Sequence, residues 1–375
     1  MRVLMTGGGT GGHVNPAIAI ANTIREKEKD SVIAFVGTSR GIENKLVPKY
    51  GYEVYHVEIQ GLKRSLSLSN IKTAFLTVTS VRKAKKLVRE FKPDAVIGTG
   101  GYVCWPVVKA AASLGIPTFL HESNAIPGVA VKMLERYVDA IYTNFESTAK
   151  KLKYPEKAVR VGNPLLAGAE KLEKTEAKRR IGAEKYEKVL LSFGGSLGAR
   201  TVNLNALDIA ENYIKDNKNI LYLHATGSHD WEMMREEAKK RGLDALPNFQ
   251  MTEYIYDMPV RMAAADLVIC RAGAMTLSEL AIMNKPSVLV PSPNVTDNHQ
   301  FKNANELGRA GAAEVFEEKD LGEGTLRECV SSLLENDAKL ESMGKAVRQF
   351  ALGNANEIIY RGVREKVDAK AKESK

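Results

Sequence analysis

His13 closes a run of Gly7, Gly8, Gly9, Thr10, Gly11 and Gly12 and is followed by Val14, Asn15 and Pro16. An imidazole titrates near neutral pH. Five glycines at one turn let backbone amides crowd a ligand, because no Cβ stands in the way. Residues 3–5 form an apolar lead that reads as a strand, and residues 17–25 read as an apolar-periodic helix. The run therefore sits at a strand-to-helix turn, where the unpaired N–H groups of a helix start point at whatever binds.

Gly7, Gly9 and Gly12 have the spacing of a dinucleotide fingerprint. That fingerprint also needs an acid at the end of the second strand, about 20 residues on. Here the second strand, 32–36, runs out into Gly37, Thr38 and Ser39, so an oxidoreductase reading is disfavoured. A second set of parts lies further along. Gly194, Gly195 and Ser196 precede a helix and combine amides with a hydroxyl as an anion cradle. Arg271, Gly273, Ala274, Met275 and Thr276 form another glycine-containing helix start, and Glu279 lies one turn in, where a carboxylate accepts two hydrogen bonds from a ribose diol. Asp297, Asn298, His299 and Gln300 offer the amides and polar groups of sugar recognition. No GxxxxGK[ST] loop occurs, and no DxD stands at a strand end. The parts describe a nucleoside-diphosphate pocket without P-loop chemistry, with no metal and no cofactor required.

These residues need a frame. The 375 residues exceed one ordinary core, which implies two domains. Strands at 3–5, 32–36, 53–58, 94–98, 118–121 and 140–143 alternate with helices, a short one over 41–49 among them, the rhythm of a doubly wound parallel α/β sheet. Three loops at strand exits, 7–15, 98–103 and 121–128, converge where ligands bind such sheets. A strand end and break at Val161, Gly162, Asn163 and Pro164 and a charged helix at 170–180 separate this half from a second one. The layout then restarts, with strands at 189–193, 220–225, 249–253, 267–270, 287–290 and 313–316 and a helix over about 201–212 after the first of them. The expected domains are 1–162 and 163–342. The charged helical tail at 343–375 either crosses back to the first domain or caps the second.

Apolar residues make up 44% and charged residues 26%, the balance of a soluble globular chain. Cys104, Cys270 and Cys329 are far apart, which argues for a reducing compartment without disulfides or structural zinc. The chain enters a strand at once, without a signal peptide, and nowhere reaches 18 consecutive apolar residues. The net charge of +9 is one-sided: residues 1–162 hold 24 Lys and Arg against 13 Asp and Glu, and the rest 30 against 32. That field suits a phosphate-bearing partner, an anionic membrane or nucleic acid. Within 61–92, nine basic residues face one acid, Glu90, around an apolar stripe of Ile71, Phe75, Val78 and Val81. Two readings stay open, a helix docking on an anionic bilayer and a core-packed crossover helix with a solvated basic face.

Taken together, the stretches Gly7 to Pro16, Gly100-Gly101-Tyr102-Val103, His121-Glu122-Ser123-Asn124, Gly162-Asn163-Pro164, Gly194-Gly195-Ser196-Leu197-Gly198-Ala199 and Arg271 to Glu279 span about 300 residues in one order. In that order they resemble the MurG family of GT-B glycosyltransferases. The resemblance implies two Rossmann-like domains facing across a cleft. It implies transfer of N-acetylglucosamine (GlcNAc) from UDP-GlcNAc to the 4-hydroxyl of lipid I, undecaprenyl-diphospho-N-acetylmuramoyl-pentapeptide. Inversion at the anomeric carbon then gives lipid II for peptidoglycan, and hence for cell shape and division. It implies a peripheral protein on the cytoplasmic face of the cell membrane, attached through 61–92, with no nucleic-acid partner.

Carried over residue by residue, the family's uridine and ribose contacts fall on the backbone of Ile255 and on Glu279. Its diphosphate contacts fall on Ser196 and the helix start Ala274, Met275 and Thr276, and Leu277 and Ser278 follow as further substrate-binding positions. Its sugar contacts fall on Asn124 and Gln300. Thr10, Gly11 and Gly12 lie where the acceptor diphosphate is expected. Such a displacement needs a general base, for which His13 is the first choice and Glu122 the second. Two positions depart from the pattern. Leu166 stands where the family often has an arginine reaching the donor diphosphate, leaving Arg271 or Arg200 to compensate. Cys104 and Trp105 replace a smaller Ser-Gly pair, placing an indole at the cleft rim or toward lipid. The alternatives are another GT-B enzyme, such as a UDP-GlcNAc 2-epimerase or a glycolipid synthase, and a non-catalytic nucleotide-binding module.

Overall fold

Val3 and Met5 are buried on one side of the first strand and Leu4 on the other, each fully inaccessible to solvent. A strand covered on both faces must be apolar throughout, the condition for a parallel sheet sandwiched by helices. The computed structural model, which describes residues 1–59, 69–166 and 172–373 (69–78 by backbone alone), meets that condition twice. Two units divide the chain: Met1–Leu166 with Leu352–Lys375, and Ala167–Ala351.

In the first unit, β1 (Arg2–Gly7), β2 (Val32–Gly37), β3 (Glu53–His56), β4 (Ala95–Gly100), β5 (Thr118–Glu122), β6 (Ala140–Thr143) and β7 (Ala158–Arg160) form one sheet in the order β3-β2-β1-β4-β5-β6-β7. All its pairs are parallel, with Val3 beside Ile33 on one side and Ala95 on the other. The order reverses between β1 and β4, and in open α/β sheets the ligand crevice lies outside the strand carboxyl ends at that point. One core layer joins Met5, Ile18, Phe35, Ile97 and Phe119 to Ile359 and Val363 of the last helix, Ala355–Glu373. The other joins Leu4, Val36, Val96 and Leu120 to Val88, Val107 and Val108.

The second unit repeats the plan. Strands β8 (Lys188–Phe193), β9 (Ile220–Ala225), β10 (Phe249–Thr252), β11 (Leu267–Cys270), β12 (Ser287–Leu289) and β13 (Ala313–Val315) run in the order β10-β9-β8-β11-β12-β13, all parallel. Its switch point falls between β8 and β11. One core layer packs Leu190, Tyr222, Phe249, Leu267 and Val288 against Val202, Ile209, Leu326 and Val330.

Several readings from the sequence are corrected. The single helix expected over 41–49 is a short helix, Glu43–Leu46, followed by a 3₁₀ turn, Val47–Tyr50, that carries Pro48. The helix expected over 201–212 ends at Ile209 and widens into a π turn, Ala210–Ile214. The strand end read at Val161 to Pro164 belongs to a seventh strand, Ala158–Arg160, whose extent the sequence did not mark. β7 is three residues long at a sheet edge and two of them are exposed, so no apolar pattern marks it. The tail is not one helix: Asp337–Val347 and a 3₁₀ turn end before Leu352, and Ala355–Glu373 starts anew. Trp105 packs partly buried against the Leu4 core layer. The segment 61–92 is described only in part. Residues 60–68 lie outside the described residues, and Ser69–Phe91 is a helix.

Candidate functional site

In the first unit the β1 and β4 exits clasp each other through backbone. The Gly8 N–H donates to the Gly100 carbonyl at 3.3 Å, and the Thr99 hydroxyl donates to the His13 carbonyl at 2.7 Å. Gly101 has φ +85°, and a Cβ there would stand 2.4 Å from the Gly8 oxygen, so only glycine fits. The helix Gly11–Lys27 begins here, with Thr10 as its N-cap and no acid in its first turn. The Gly11 and Gly12 amides have no protein partner among the described residues. A 17-residue helix thus presents an uncompensated positive end, with Thr10 and Gly12 exposed and Gly11 half-buried.

His13 is half-buried in the first turn of that helix. Its Nδ1 lies 3.0 Å from the Gly8 carbonyl and 3.3 Å from the Thr10 hydroxyl oxygen. A carbonyl only accepts, so this bond assigns the proton to Nδ1 and leaves the Nε2 lone pair open. Burial lowers the His13 pKa from 6.5, and the Gly8 carbonyl and the Glu43 charge oppose that only partly. The side chain is therefore a neutral imidazole at neutral pH, the state a general base requires.

Glu122 has a different environment. Oε1 accepts from the Asn124 backbone N–H at 2.9 Å and its side-chain amide at 3.1 Å, and Oε2 accepts from the Gly128 N–H at 2.7 Å. The carboxylate is buried and organises the loop between β5 and the helix Val129–Leu134. Its lone pairs are committed there, in contrast to His13 Nε2.

In the second unit, the loop after β8 is stitched to the loop after β9. The Ser228 N–H donates to the Ser196 carbonyl at 3.3 Å, and the His229 N–H to the Leu197 carbonyl at 3.2 Å. Ser196 is exposed, and its own N–H and hydroxyl carry no partner among the described residues. After β11, Gly273 caps the helix Ala274–Ile282, which has no acid in its first turn. The Met275 and Thr276 amides are likewise unpartnered among the described residues. Leu277 and Ser278 are buried, so a ligand there would meet first-turn backbone rather than these two side chains.

Glu279 is half-buried with no hydrogen bond among the described residues, and burial pushes its pKa up to about 7. A carboxylate left desolvated and unpaired is costly unless a ligand completes it. Ile255 is buried after β10, and its backbone N–H and carbonyl are both open among the described residues. The Ser292 N–H donates to Gln300 Oε1 at 2.9 Å, which fixes the side-chain oxygen of Gln300. Asp297 and Asn298 just before it have φ of +56° and +50°. Two left-handed non-glycine residues in succession are strained, a feature the residue types had not disclosed.

The two arginines suggested to replace the one missing at Leu166 are not equivalent. Arg271 is anchored within its unit, donating from Nη1 to the Val290 and Pro291 carbonyls at 3.0 and 3.2 Å and pairing with Glu318 through Nη2. Arg200 is 61% exposed and bonds Asp230 at 3.0 Å, so it remains the accessible cation beside the Ser196 loop. Leu166 itself packs half-buried on the first unit's core. Glu43, which the sequence reading passed over, is buried against the Gly8–Gly9 loop.

Residues 3–143 match the model of the glycosyltransferase family 28 N-terminal domain, and residues 189–358 that of the family 28 C-terminal domain. The UDP-N-acetylglucosamine–N-acetylmuramyl-(pentapeptide) pyrophosphoryl-undecaprenol N-acetylglucosamine transferase of Acetivibrio thermocellus is 39% identical over 371 residues, covering 99% of this chain and all of that one. The protein of the same name from a Thermoanaerobacter species is 41% identical over 361 residues, covering 96% and 98%. The crystal structure of Acinetobacter baumannii MurG superposes with a TM-score of 0.77 at 28% identity, over 97% of this chain and 99% of that one. A UDP-GlcNAc 2-epimerase of Neisseria meningitidis bound to UDP-GlcNAc superposes with a TM-score of 0.67 over 97% of this chain and all of that one. At 16% identity that second likeness is one of fold alone.

Proposed function

The chain belongs to glycosyltransferase family 28 and has the GT-B fold, and from that premise we propose that it transfers GlcNAc from UDP-GlcNAc to the N-acetylmuramyl 4-hydroxyl of lipid I, giving lipid II. The observation that carries this reading is the end-to-end likeness to transferases of one name, over 96% or more of both partners. The enzyme is a hexosyltransferase of peptidoglycan precursor synthesis.

We assign the donor to the second unit and the acceptor to the first. Glu279 holds the ribose diol, the Ile255 backbone reads the uracil edge, and Gln300 meets the sugar. Ser196 and the amides of Met275 and Thr276 hold the diphosphate. The open amides at Gly11 and Gly12 hold the acceptor's diphosphate. The transfer is one displacement: acceptor O4 attacks C1, the C1–O bond to UDP breaks, and the hydroxyl proton passes to Nε2 of His13. Helix starts facing the diphosphate stabilise the charge that collects on the leaving UDP.

The acceptor is an isoprenoid lipid, so the enzyme works at a bilayer surface, which we place on the cytoplasmic side. Among the described residues no helix is long and apolar enough to cross a membrane. The described part of Ser69–Phe91 turns Ala84, Val88 and Phe91 into the core and leaves Arg82, Lys83, Lys86 and Arg89 exposed. A basic face backed by a fixed core suits peripheral attachment to anionic lipid.

Incubation with radiolabelled UDP-GlcNAc and lipid I tests the function. Labelled lipid II is the expected product. Label recovered only as a free sugar or as an epimerised sugar nucleotide would overturn it.

A further inference from the structure

Glu43 is 1% exposed at the start of the helix Glu43–Leu46. Its Oε1 accepts from the Thr38 N–H at 2.8 Å and the Thr38 hydroxyl at 3.0 Å, and its Oε2 accepts from the Gly9 N–H at 3.2 Å. These donors are all neutral dipoles. Glycine makes the room, since a Cβ at Gly8, Gly37 or Gly41 would come within 2.8, 2.5 and 2.1 Å of the Glu43 side chain.

The Gly9 N–H and the Gly8 carbonyl belong to one peptide unit. In a trans peptide they point opposite ways. One end of this unit therefore donates to Glu43, and the other accepts from His13 Nδ1 at 3.0 Å. Hydrogen bonds in series polarise one another, so a buried carboxylate on the N–H strengthens the carbonyl as an acceptor. When His13 gains a proton on Nε2, the imidazolium faces that carbonyl and, behind it, the carboxylate.

We propose that Glu43 is a positioning residue for the transfer, holding and polarising the Gly8–Gly9 peptide so that its carbonyl keeps His13 in the Nδ1–H tautomer with Nε2 turned out as the base. The inference rests on the reading of His13 as the base. No proton moves to Glu43; its part is orientation and charge. The titratable groups around His13 are Glu43 itself, the buried His121 on β5, whose Nε2 bonds the Gly162 carbonyl, and the Cys104 thiol beside Gly100. Burial first, and then the neighbouring His13, hold His121 down at about 4, and burial pushes Cys104 up to about 12.

The test uses the full chain with UDP-GlcNAc and a short-chain soluble acceptor. Glu43→Gln keeps the size but presents an NH₂ to one of its former donors. Displacing the base by about 1 Å lowers kcat by about 10²-fold. The donor KM stays unchanged. Because the Glu43 charge raises the His13 pKa, its removal moves the acid limb of kcat/KM to lower pH. A solely structural Glu43 would cut turnover or thermal stability with the limb in place, and that result, or wild-type kcat, overturns the inference. Thr38→Val removes one bond and keeps the charge, with an expected loss of about threefold to tenfold in kcat and an unmoved limb. If Glu43→Gln does not fold, wild-type turnover in Thr38→Val overturns the inference in its place. His13→Ala run in parallel separates the two readings. If it retains turnover, the base assignment itself falls. If it is inactive while Glu43→Gln matches wild type in rate and limb, only the role of Glu43 falls.

Discussion

Nδ1 of His13 sits 3.0 Å from the carbonyl oxygen of Gly8, five residues earlier in the chain. A backbone acceptor cannot rotate away as a side chain does, so the tautomer is built into the glycine run itself. Nε2 is then the nitrogen left for chemistry.

His13→Ala is expected to lower kcat by about 10²–10⁴-fold, the usual contribution of a placed base. Donor KM should not change, since the donor is assigned to the other unit. Burial holds the His13 pKa below 6.5. The base is active when neutral, so kcat/KM falls with acidification through a pKa below that value. A profile of kcat/KM against pH checks this, and a limb above 6.5 would assign the titration to another group.

Glu279 gives the donor side its own pH dependence. In the free protein burial pushes its carboxyl up to about 7. The ribose diol donates to the carboxylate, so binding favours the charged form and donor affinity rises as pH climbs through about 7. Glu279→Gln should flatten that dependence. Charge-assisted hydrogen bonds contribute about 1.5–3 kcal/mol, so UDP affinity should fall about 10- to 100-fold. Calorimetric titration of UDP on either side of neutrality measures both effects. Equal affinities at both pH values would show that Glu279 does not hold the ribose.

The glycine runs were legible because close backbone approach has no other residue to use. Gly7 to Gly12 and Gly194 to Gly198 announced both strand exits before any fold was known. Glu279 was legible because its distance from Gly273 places it one turn into a helix. Glu43 was not. Its chemistry arises from Gly9, 34 positions away, and from the opposite faces of a peptide unit, neither of which residue type records. Only the end of β7 was legible, because a short exposed edge carries no period. Arg271 and Arg200 looked interchangeable in sequence, and only their partners, Glu318 with two carbonyls against Asp230 alone, tell them apart.

The last helix offers a stability test confined to the first unit. Ile359 is fully buried in the core layer of Met5, Ile18 and Phe35. Ile359→Ala removes buried methylenes and leaves a cavity, with an expected cost of about 2–5 kcal/mol. Thermal unfolding should show the first unit melting earlier while UDP still protects the second. Loss of UDP protection in the same variant would mean that the two units do not melt independently.

The basic face of Ser69–Phe91 can be tested without touching its packing. Arg82, Lys83, Lys86 and Arg89 are exposed, while Ala84 and Val88 between them are buried. Replacing those four cations with glutamate therefore spares the core. Each basic residue near an anionic surface contributes about 1 kcal/mol. Four reversals should abolish measurable binding to phosphatidylglycerol vesicles at moderate salt, and the wild-type interaction should itself weaken as salt is raised. Turnover of a short-chain soluble acceptor should remain at the wild-type rate, because none of the four lies in the glycine loops. Co-sedimentation with vesicles and the soluble assay, run on the same preparation, read the two effects separately. Equal loss in both would make this face part of the fold, and unchanged vesicle binding would move the membrane contact elsewhere on the first unit.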